Sequence, residues 1–411
     1  MTIKFKDILH TLVIFLLITF LLYSKILSNF LWVMPELFSD FNHIINWLEC
    51  DSLGFNLITL DTINCGTDKK IIPFNYGYAF LYIPYNDFLG IFYRTYLPWI
   101  LILIFIYFTL KIINPKNKIE IILIYLALLN PSTMLLIERM QLDSLFYIVI
   151  IFTTYNRFYF INWFFGIYLA LIKIYPVSIL LNIFIENKNR TNKKKIFIAL
   201  LVSLFLIIFL FFNKEHYAFM FNSMLGGKPG FHYLYSLNSL PKIFAYIFDL
   251  NYQVLLIIFY SLFIFIAMKF YKVISLNYNK MSGEIYTRDS KLFIIGGYFN
   301  LFLFILVSSY VYKEVFLILL IPFILTMKNK YQDKIFNILL YLFIVRYCYL
   351  FLYGFLNIYD GITFFNDQRI FSNEFLLAIF FKAILDFILM SIVSAILYIK
   401  TKIYILDKFK K

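Results

Sequence analysis

The sequence predicts an all-α fold, a polytopic transmembrane helical bundle of about 10 to 13 helices. Of the 411 residues, 62% are hydrophobic and only 15% are charged, and the mean hydropathy is +0.81. A soluble domain is nearer half apolar and a quarter charged, so it could not bury this excess. A bilayer can, because the apolar faces of the helices meet lipid. We therefore interpret residues 1–411 as a single integral-membrane domain.

The first predicted span covers residues 8–28, where Lys4 and Lys6 precede an apolar run. That run is about 20 residues long and no small-residue cleavage site follows it, which favours a retained helix over a removed signal peptide. The other predicted spans are roughly 94–113, 119–137, 142–156, 158–172, 174–186, 196–212, 252–271, 292–309, 314–327, 335–353 and 374–400.

The basic residues predict the orientation of these spans. The net charge is +14, but the positive charges lie in short segments between apolar runs, which favours membrane topology over a nucleic-acid partner. With the amino terminus inside, about 24 Lys and Arg residues fall on the cytoplasmic side and about 13 elsewhere. Both termini are then cytoplasmic. A first outer loop over 29–93, a second over 213–251 and a shorter segment over 354–373 face outward, where a site built from loops is expected.

The first outer loop contains a pattern typical of an interfacial amphipathic helix over about residues 38–50. Asp40 lies near the start of this helix, where the helix dipole favours an anion. Equally, Ser39 or Asp40 could simply cap the helix. The apolar residues recur at spacings of three and four: Phe38, Phe41, Ile44, Ile45 and Leu48.

Two cysteines, Cys50 and Cys65, lie in the same outer loop. In an oxidising compartment they could form a disulfide, which for a loop of this size contributes about 3 kcal/mol. The alternative is two buried free thiols. The sequence has no CxxC or Cys/His metal spacing, so we expect neither a metal site nor a cofactor.

A polar group interrupts the apolar sequence between two short spans. Glu138, Arg139, Gln141 and Asp143 lie there, and charges at membrane depth are costly and usually retained for a function. Glu138 and Arg139 could simply pair with other groups, whereas Asp143 with Gln141 could face a polar cavity. Lys173, three residues before a proline, indicates a helix break with a cation that could hold a phosphate or only extend to the interface.

Later segments add polar residues without a recognisable nucleotide motif. The run Gly226-Gly-Lys-Pro-Gly230 lacks the spacing of a phosphate-binding loop, so we interpret it as a flexible outer loop. Further polar residues near the outer ends of late spans suggest an outward-facing cavity for a phosphorylated or sugar ligand. They are Lys313, Glu314, Arg346, Lys382 and Asp386.

Four motifs in order along the chain carry a resemblance. They are Ser39-Asp-Phe-Asn-His-Ile-Ile45, then Gly54 with Pro73-Phe-Asn-Tyr-Gly77, then Glu138-Arg-Met-Gln-Leu-Asp-Ser144, and Phe165-Gly-Ile-Tyr-Leu-Ala-Leu-Ile-Lys-Ile-Tyr-Pro176. With these motifs the chain resembles the C-type glycosyltransferase superfamily, and more narrowly the polyprenol-phosphate-mannose-dependent mannosyltransferases. It departs from them at Met140, where small residues are usual, and at Tyr310-Val-Tyr-Lys313, where related enzymes often have histidine.

The resemblance implies a glycosyltransferase that moves a hexose such as mannose from a polyprenyl-phosphate donor to a glycolipid or glycan acceptor. It implies a loop aspartate as general base, which maps to Asp40 first and Asp51 second. Lys173 and Arg139 are the expected ligands of the donor phosphate, by charge alone. The family needs no metal. The expected location is a bacterial inner membrane.

Three other interpretations stay open from the sequence. A transporter or flippase for a lipid-linked sugar would need inverted repeats, and no convincing internal repeat is present. A surface-glycan polymerase or ligase would also be a transferase, with a different set of site residues. A non-enzymatic scaffold would leave the intramembrane polar residues unexplained. An interfacial helix that carries Asp40 over an outward cavity would favour the transferase.

Overall fold

Two compact units make up the chain. The first comprises residues 1–33, 106–136 and 229–411, and the second comprises 34–105 and 137–228. Whether they form one integral-membrane domain stays a prediction. The computed structural model describes residues 5–30, 36–55, 57, 74, 76–155, 159–173, 175–180, 192–215, 217–218, 234–284, 286–306, 309–359, 362–365 and 368–409.

The described chain is predominantly helical, as the composition predicts. Its α-helices are α1 Phe5–Tyr23, α2 Ser39–Ser52, α3 Asp87–Thr95, α4 Leu97–Ile113, α5 Lys118–Leu129, α6 Pro131–Arg139, α7 Asp143–Tyr155, α8 Tyr159–Ile172, α9 Asn192–Phe212, α10 Ser239–Phe248, α11 Tyr252–Ile274, α12 Tyr278–Gly283, α13 Arg288–Leu306, α14 Ile321–Tyr331, α15 Lys334–Tyr359 and α16 Asn373–Phe409. Its 3₁₀ helices are Lys25–Asn29, Tyr78–Tyr82, Tyr175–Leu180, Ser275–Asn277 and Val311–Leu320.

Two short antiparallel strand pairs accompany the helices. Strands β1 Leu234–Tyr235 and β2 Ser309–Tyr310 pair with each other, as do β3 Ile362–Phe365 and β4 Gln368–Phe371. The sequence pattern did not predict them, because strands of two to four residues are too short for an alternating pattern to stand out.

Three helices in the described part of the chain are long and apolar enough to cross a membrane, namely α11, α15 and α16. The number rises to five if α3 with α4 and α5 with α6, which are bent by 45° and 46°, each form one span. In α11 the side chains that point outward are mostly large and apolar, which suits a lipid environment.

Helix α16 packs along α11, α13 and α15 in the core of the first unit. Two adjacent glycines of α13 allow close packing there. A Cβ at Gly296 would lie 2.6 Å from Leu319 Cβ, and a Cβ at Gly297 would lie 2.8 Å from Leu397 Cδ2. Side chains at these two positions would push neighbouring segments apart.

One predicted span is interrupted. The sequence predicted a continuous helix over 119–137, but α5 ends at Leu129 and α6 starts at Pro131. Asn130 satisfies the backbone at the break. Its side chain donates to Ala127 O at 2.8 Å and accepts from Thr133 N at 3.1 Å. The residue before a proline also disfavours helical geometry, so the break has a local cause.

The predicted span over 314–327 also differs from the structure, since it begins as a 3₁₀ helix over Val311–Leu320 and turns α-helical only from Ile321. Both forms suit a continuous apolar sequence, so the sequence pattern does not separate them.

The beginnings of α1 and α13 and the ends of α4 and α16 lie at the same end of the first unit. Three contacts link them: Lys111 Nζ to Asp7 Oδ2 at 3.3 Å, Arg288 Nη2 to Ile112 O at 3.5 Å, and Lys400 Nζ to Ser290 Oγ at 2.5 Å.

The second unit is built around α2 and α8. Helix α2 packs on α3, and α8 packs on α7 and on the 3₁₀ helices Tyr78–Tyr82 and Tyr175–Leu180. This packing brings the first predicted outer loop next to the break after α8.

Candidate functional site

Helix α2 presents Asp40 in its first turn. The N-cap position is occupied by Phe38, with a φ of 61° and no side-chain cap hydrogen bond, so neither Ser39 nor Asp40 caps the helix. The backbone N–H of Phe38 donates to Glu138 O at 2.8 Å. That bond ties the start of α2 to the end of α6.

Two polar side chains from the segment after α6 engage the Asp40 carboxylate. Gln141 Nε2 donates to Asp40 Oδ2, and Arg139 Nη1 lies 3.8 Å from the same oxygen. Arg139 Nε also lies 3.8 Å from Glu138 Oε2. The side chains of Asp40 and Arg139 keep 20% and 26% of their surface exposed. Both are therefore held in place and still open to a ligand.

A second ion pair lies in the same unit. Lys173 Nζ is 3.7 Å from Asp143 Oδ2, and these side chains are only 9% and 0% exposed. The Lys173 ammonium also lies 4.3 Å from the centre of the Tyr76 ring, a cation–π contact. Lys173 is therefore a buried, paired cation.

Tyr76 connects the two ion pairs. Burial raises the pKa of its hydroxyl, Lys173 lowers this pKa, and both Asp143 and Asp40 raise it further. Because charges act on Tyr76 from both pairs, the two pairs belong to one electrostatic cluster. We call it the Asp40 cluster: Asp40, Tyr76, Glu138, Arg139, Gln141, Asp143 and Lys173.

Two backbone features position this cluster. Met140 has a φ of 50°, a left-handed conformation in the turn between α6 and α7. Gly77 N donates to Ile172 O at 2.8 Å, and a Cβ on Gly77 would lie 1.7 Å from Leu171 O. Only glycine fits at this contact, which seats the Tyr76 loop on the end of α8.

Buried aromatic side chains pack against Tyr76 of the cluster. The Trp47 ring lies 5.2 Å from Phe74 and 5.4 Å from Tyr76, between ring centres. Trp47 is on α2, two turns after Asp40, so this packing fixes α2 relative to the Tyr76 loop. All three rings are buried, which assigns them to the core instead of to a sugar-binding surface.

The second candidate base, Asp51, lies at the far end of α2. Eleven residues separate it from Asp40, or about 16 Å along the helix. Burial raises the pKa of the Asp51 carboxyl, and no contact with the Asp40 cluster is seen in the described chain. Beside it, Glu49 forms a 2.5 Å ion pair with Arg94 that joins α2 to α3.

Only one of the two cysteines of the predicted disulfide, Cys50, lies among the described residues. Cys50 is buried and disulfide-bonded, and Cys348 is an exposed free thiol. Cys65 lies outside the described residues, so its pairing with Cys50 stays a prediction. In the described part of the chain, no group of three or more His, Cys, Asp or Glu could hold a metal ion.

The first unit holds the remaining candidate, Lys313, which is buried in the 3₁₀ helix Val311–Leu320. Its neighbour Glu314 belongs to a set of four charged residues buried between this helix, α15 and α16. The other three are Arg346, Lys382 and Asp386. The sequence singled out all four as polar residues of late spans, but not their mutual pairing.

Tyr76 is the member of the Asp40 cluster that the sequence did not single out. It stands in Pro73-Phe-Asn-Tyr-Gly77, which contributed to the resemblance without any role being assigned to the tyrosine. The Tyr-Gly pair was a usable signal, since glycine permits a close backbone approach that places the tyrosine.

Comparisons with protein-family models, with curated proteins and with solved structures find no match to this chain. The function is therefore argued from the Asp40 cluster itself. That cluster combines a partly exposed carboxylate, an amide that orients it and a partly exposed guanidinium.

Proposed function

We propose that the chain is a membrane glycosyltransferase that moves a sugar, a hexose such as mannose, from a polyprenyl-phosphate donor to an acceptor hydroxyl at the extracytoplasmic face. The observation that carries the proposal is the placement of Asp40, Gln141 and Arg139 together at the start of α2. The motif resemblance to the polyprenol-phosphate-mannose-dependent mannosyltransferases supports it. Acceptors of this class are glycolipids or glycans.

In the proposed reaction Asp40 removes the proton of the acceptor hydroxyl while the anomeric carbon becomes cationic. Gln141 orients the carboxylate through its hydrogen bond. Arg139 binds the departing lipid phosphate, since its guanidinium can offer two parallel donors to phosphate oxygens. No metal or cofactor takes part in this scheme.

The geometry favours Arg139 over Lys173 as the phosphate ligand. Lys173 is 9% exposed and is paired with Asp143, whereas Arg139 is 26% exposed and lies 3.8 Å from its carboxylate partners. Freeing Lys173 would leave Asp143 buried without its counter-charge, which costs several kcal/mol. We assign Lys173, Asp143 and Glu138 to positioning the cluster.

We further propose the topology that this function requires. Both termini lie in the cytoplasm of a bacterial inner membrane, and α2 and α3 lie at the outer interface within the first outer loop. Helix α3 supports this placement, because Phe88 and Ile91 on one of its faces are exposed and it joins the apolar helix α4 through a single residue, Tyr96. We retain the total of about 10 to 13 helices as part of this proposal.

The test is sugar transfer in membranes that contain native or variant protein, with radiolabelled polyprenyl-phosphate-mannose as donor. Asp40→Asn keeps the hydrogen bond from Gln141 but removes the base, so we expect a loss of about 100-fold or more in transfer rate. Asp51→Asn is the matched control and should retain native activity. If both variants transfer sugar at the native rate, the assignment of Asp40 is wrong.

A transporter of lipid-linked sugars is the second candidate, because the four buried charges of the first unit lie within or beside the candidate spans α15 and α16. Intramembrane charges of this kind are common along transport pathways. A protein that moves labelled lipid-linked sugar across proteoliposomes, but releases no polyprenyl phosphate, would be a transporter. Release of polyprenyl phosphate together with labelled product supports the transferase.

A further inference from the structure

Four buried charges in the first unit form a closed ring of alternating sign. Arg346 lies 2.6 Å from both Glu314 and Asp386, and Lys382 lies 2.7 Å from Glu314 and 2.8 Å from Asp386. Each side chain is at most 4% exposed. Removing one member of this ring would leave its two partners each with one ion pair instead of two, at a cost of several kcal/mol. We call it the ion-pair ring.

Glu314 is the member of the ring that lies on the 3₁₀ helix Val311–Leu320, which we call the 3₁₀ segment. All ten of its residues are buried, and it continues directly into α14 at Ile321. Runs of 3₁₀ helix longer than three or four residues are uncommon because their hydrogen bonds are poorer than those of an α-helix. A run of ten therefore needs an external cause.

The ion-pair ring supplies such a cause, because Glu314 on the segment is held by Arg346 and Lys382 outside it. A 3₁₀ helix rises about 2.0 Å and turns about 120° per residue, against 1.5 Å and 100° for an α-helix. Glu314 is seven residues before Ile321. Conversion to α would shift it by about 3.5 Å and rotate it by about 140°, away from its partners.

The far end of the 3₁₀ segment is connected to a strand pair. Ser309 and Tyr310 of β2 precede it directly and pair with β1. The carbonyl of Leu234 in β1 also accepts from Lys382 Nζ, a ring member, at 3.3 Å. The ring and the strand pair are thus joined both through the chain and through a hydrogen bond.

We propose that the ion-pair ring and the 3₁₀ segment form a two-state conformational device. While Glu314 is paired with Arg346 and Lys382 the segment is 3₁₀. When Glu314 loses these cations the segment becomes α-helical, shortens by about 5 Å and draws β2 and its partner β1 with it. Pro322, in the first turn of α14, opposes a fully α-helical path, since its ring crowds the carbonyl four residues earlier. The longer form is therefore the resting state. The device does not depend on sugar transfer.

Two matched double variants of the full-length protein test this device. Glu314→Gln with Arg346→Met removes the anchor of the segment and leaves Lys382 paired with Asp386. Asp386→Asn with Lys382→Met leaves Glu314 paired with Arg346. Each replaces one carboxylate by an amide and one cation by methionine, and neither leaves an uncompensated charge. The measurement is the distance between the Cα atoms of residues 311 and 320 in structures determined in lipid nanodiscs.

We expect this distance to fall from about 18 Å to about 14 Å in the first variant, and to stay unchanged in the second. An unchanged distance in the first variant overturns the proposal. So does an equal shortening in both, because the segment would then respond to any loss of core charge. If the first variant is not recovered folded, Glu314→Leu with Arg346→Leu replaces it, with the same expected distance and the same grounds for rejection.

Discussion

A glycine holds the loop that carries Tyr76 against the end of α8. The backbone N–H of Gly77 donates to Ile172 O at 2.8 Å, and the position of a Cβ there would be 1.7 Å from the carbonyl oxygen of Leu171. A real Cβ cannot come so close to a backbone oxygen. Any other residue must therefore displace the loop, and with it Tyr76.

We expect Gly77→Ala to lower the free energy of unfolding by about 1–3 kcal/mol, the usual cost of a side chain forced into a packed site. Gly283→Ala is the control, since a Cβ there would meet nothing nearer than the Tyr331 hydroxyl at 3.6 Å. Thermal unfolding of both variants in detergent measures the difference. Equal melting temperatures would show that the Gly77 contact is not tight.

At this scale the sequence singled out candidate residues but did not reveal what they contact. Asp40 was identified from its place near the start of an amphipathic helix and from the family resemblance. Arg139 and Gln141 were identified because charges at membrane depth are costly. The pairing of Lys173 with Asp143 was not predictable, because a choice among ion-pair partners depends on tertiary packing. The left-handed backbone of Phe38 and Met140 was equally hidden, since residues other than glycine rarely adopt it.

At the scale of a helix, the break between α5 and α6 depends on Asn130. Its buried side chain donates to Leu126 O at 3.0 Å and Ala127 O at 2.8 Å, and accepts from Thr133 N at 3.1 Å. The bond from Thr133 N satisfies a backbone donor at the start of α6. The two donated bonds add to those that Leu126 O receives from Asn130 N and that Ala127 O receives from Thr133 Oγ1.

Replacing Asn130 by alanine should therefore destabilise the fold by about 1–3 kcal/mol, the cost of leaving buried polar groups unsatisfied. The comparison is Asn86→Ala at the exposed start of α3, where one cap bond to Leu89 N is lost, at about 1 kcal/mol or less. Denaturant titration of the two variants gives the values. A larger effect at Asn86 would contradict this account of the break.

The type of a helix could be predicted from the sequence where one of its faces is polar. It could not be predicted where all of its faces are buried. The amphipathic pattern gave α2 within about two residues, since its buried residues follow helical spacing. The 3₁₀ segment is buried on all sides, so its sequence has no face to reveal its period. We attribute its type to the ion-pair ring, and three of the four ring members, Arg346, Lys382 and Asp386, lie outside the segment in the sequence.

For the whole molecule, composition was enough to predict a helical membrane protein, because only lipid can accommodate so much apolar side chain. The number of spans could not be predicted in the same way. Short and bent helices such as α5 and α6 divide an apolar run in ways that hydropathy does not reveal. Nor does hydropathy show that buried charges such as Arg346 and Asp386 are paired and hence tolerated in the core.

The orientation of the chain in the membrane is the last prediction, and it follows from charge and contact together. Contacts at one end of the first unit link the start of α1 to the end of α4, the end of α4 to the start of α13, and the start of α13 to the last part of α16. Both termini should therefore lie on the same side. Basic residues such as Lys111, Arg288 and Lys400 gather at that end. Basic ends of spans stay in the cytoplasm, so this side should be cytoplasmic.

Fusions to alkaline phosphatase and to green fluorescent protein in a bacterial host measure this orientation. The fusion sites for the cytoplasmic side are residue 411 and, as a control for the same end, residue 287. At both sites we expect the fluorescent protein to be bright and the phosphatase to be inactive, since the phosphatase needs an oxidising compartment for its disulfides. Joined after residue 250, the phosphatase should be active and the fluorescent protein dark. The reverse result would put the Asp40 loop in the cytoplasm, where an extracytoplasmic acceptor could not reach it, and would exclude the proposed reaction.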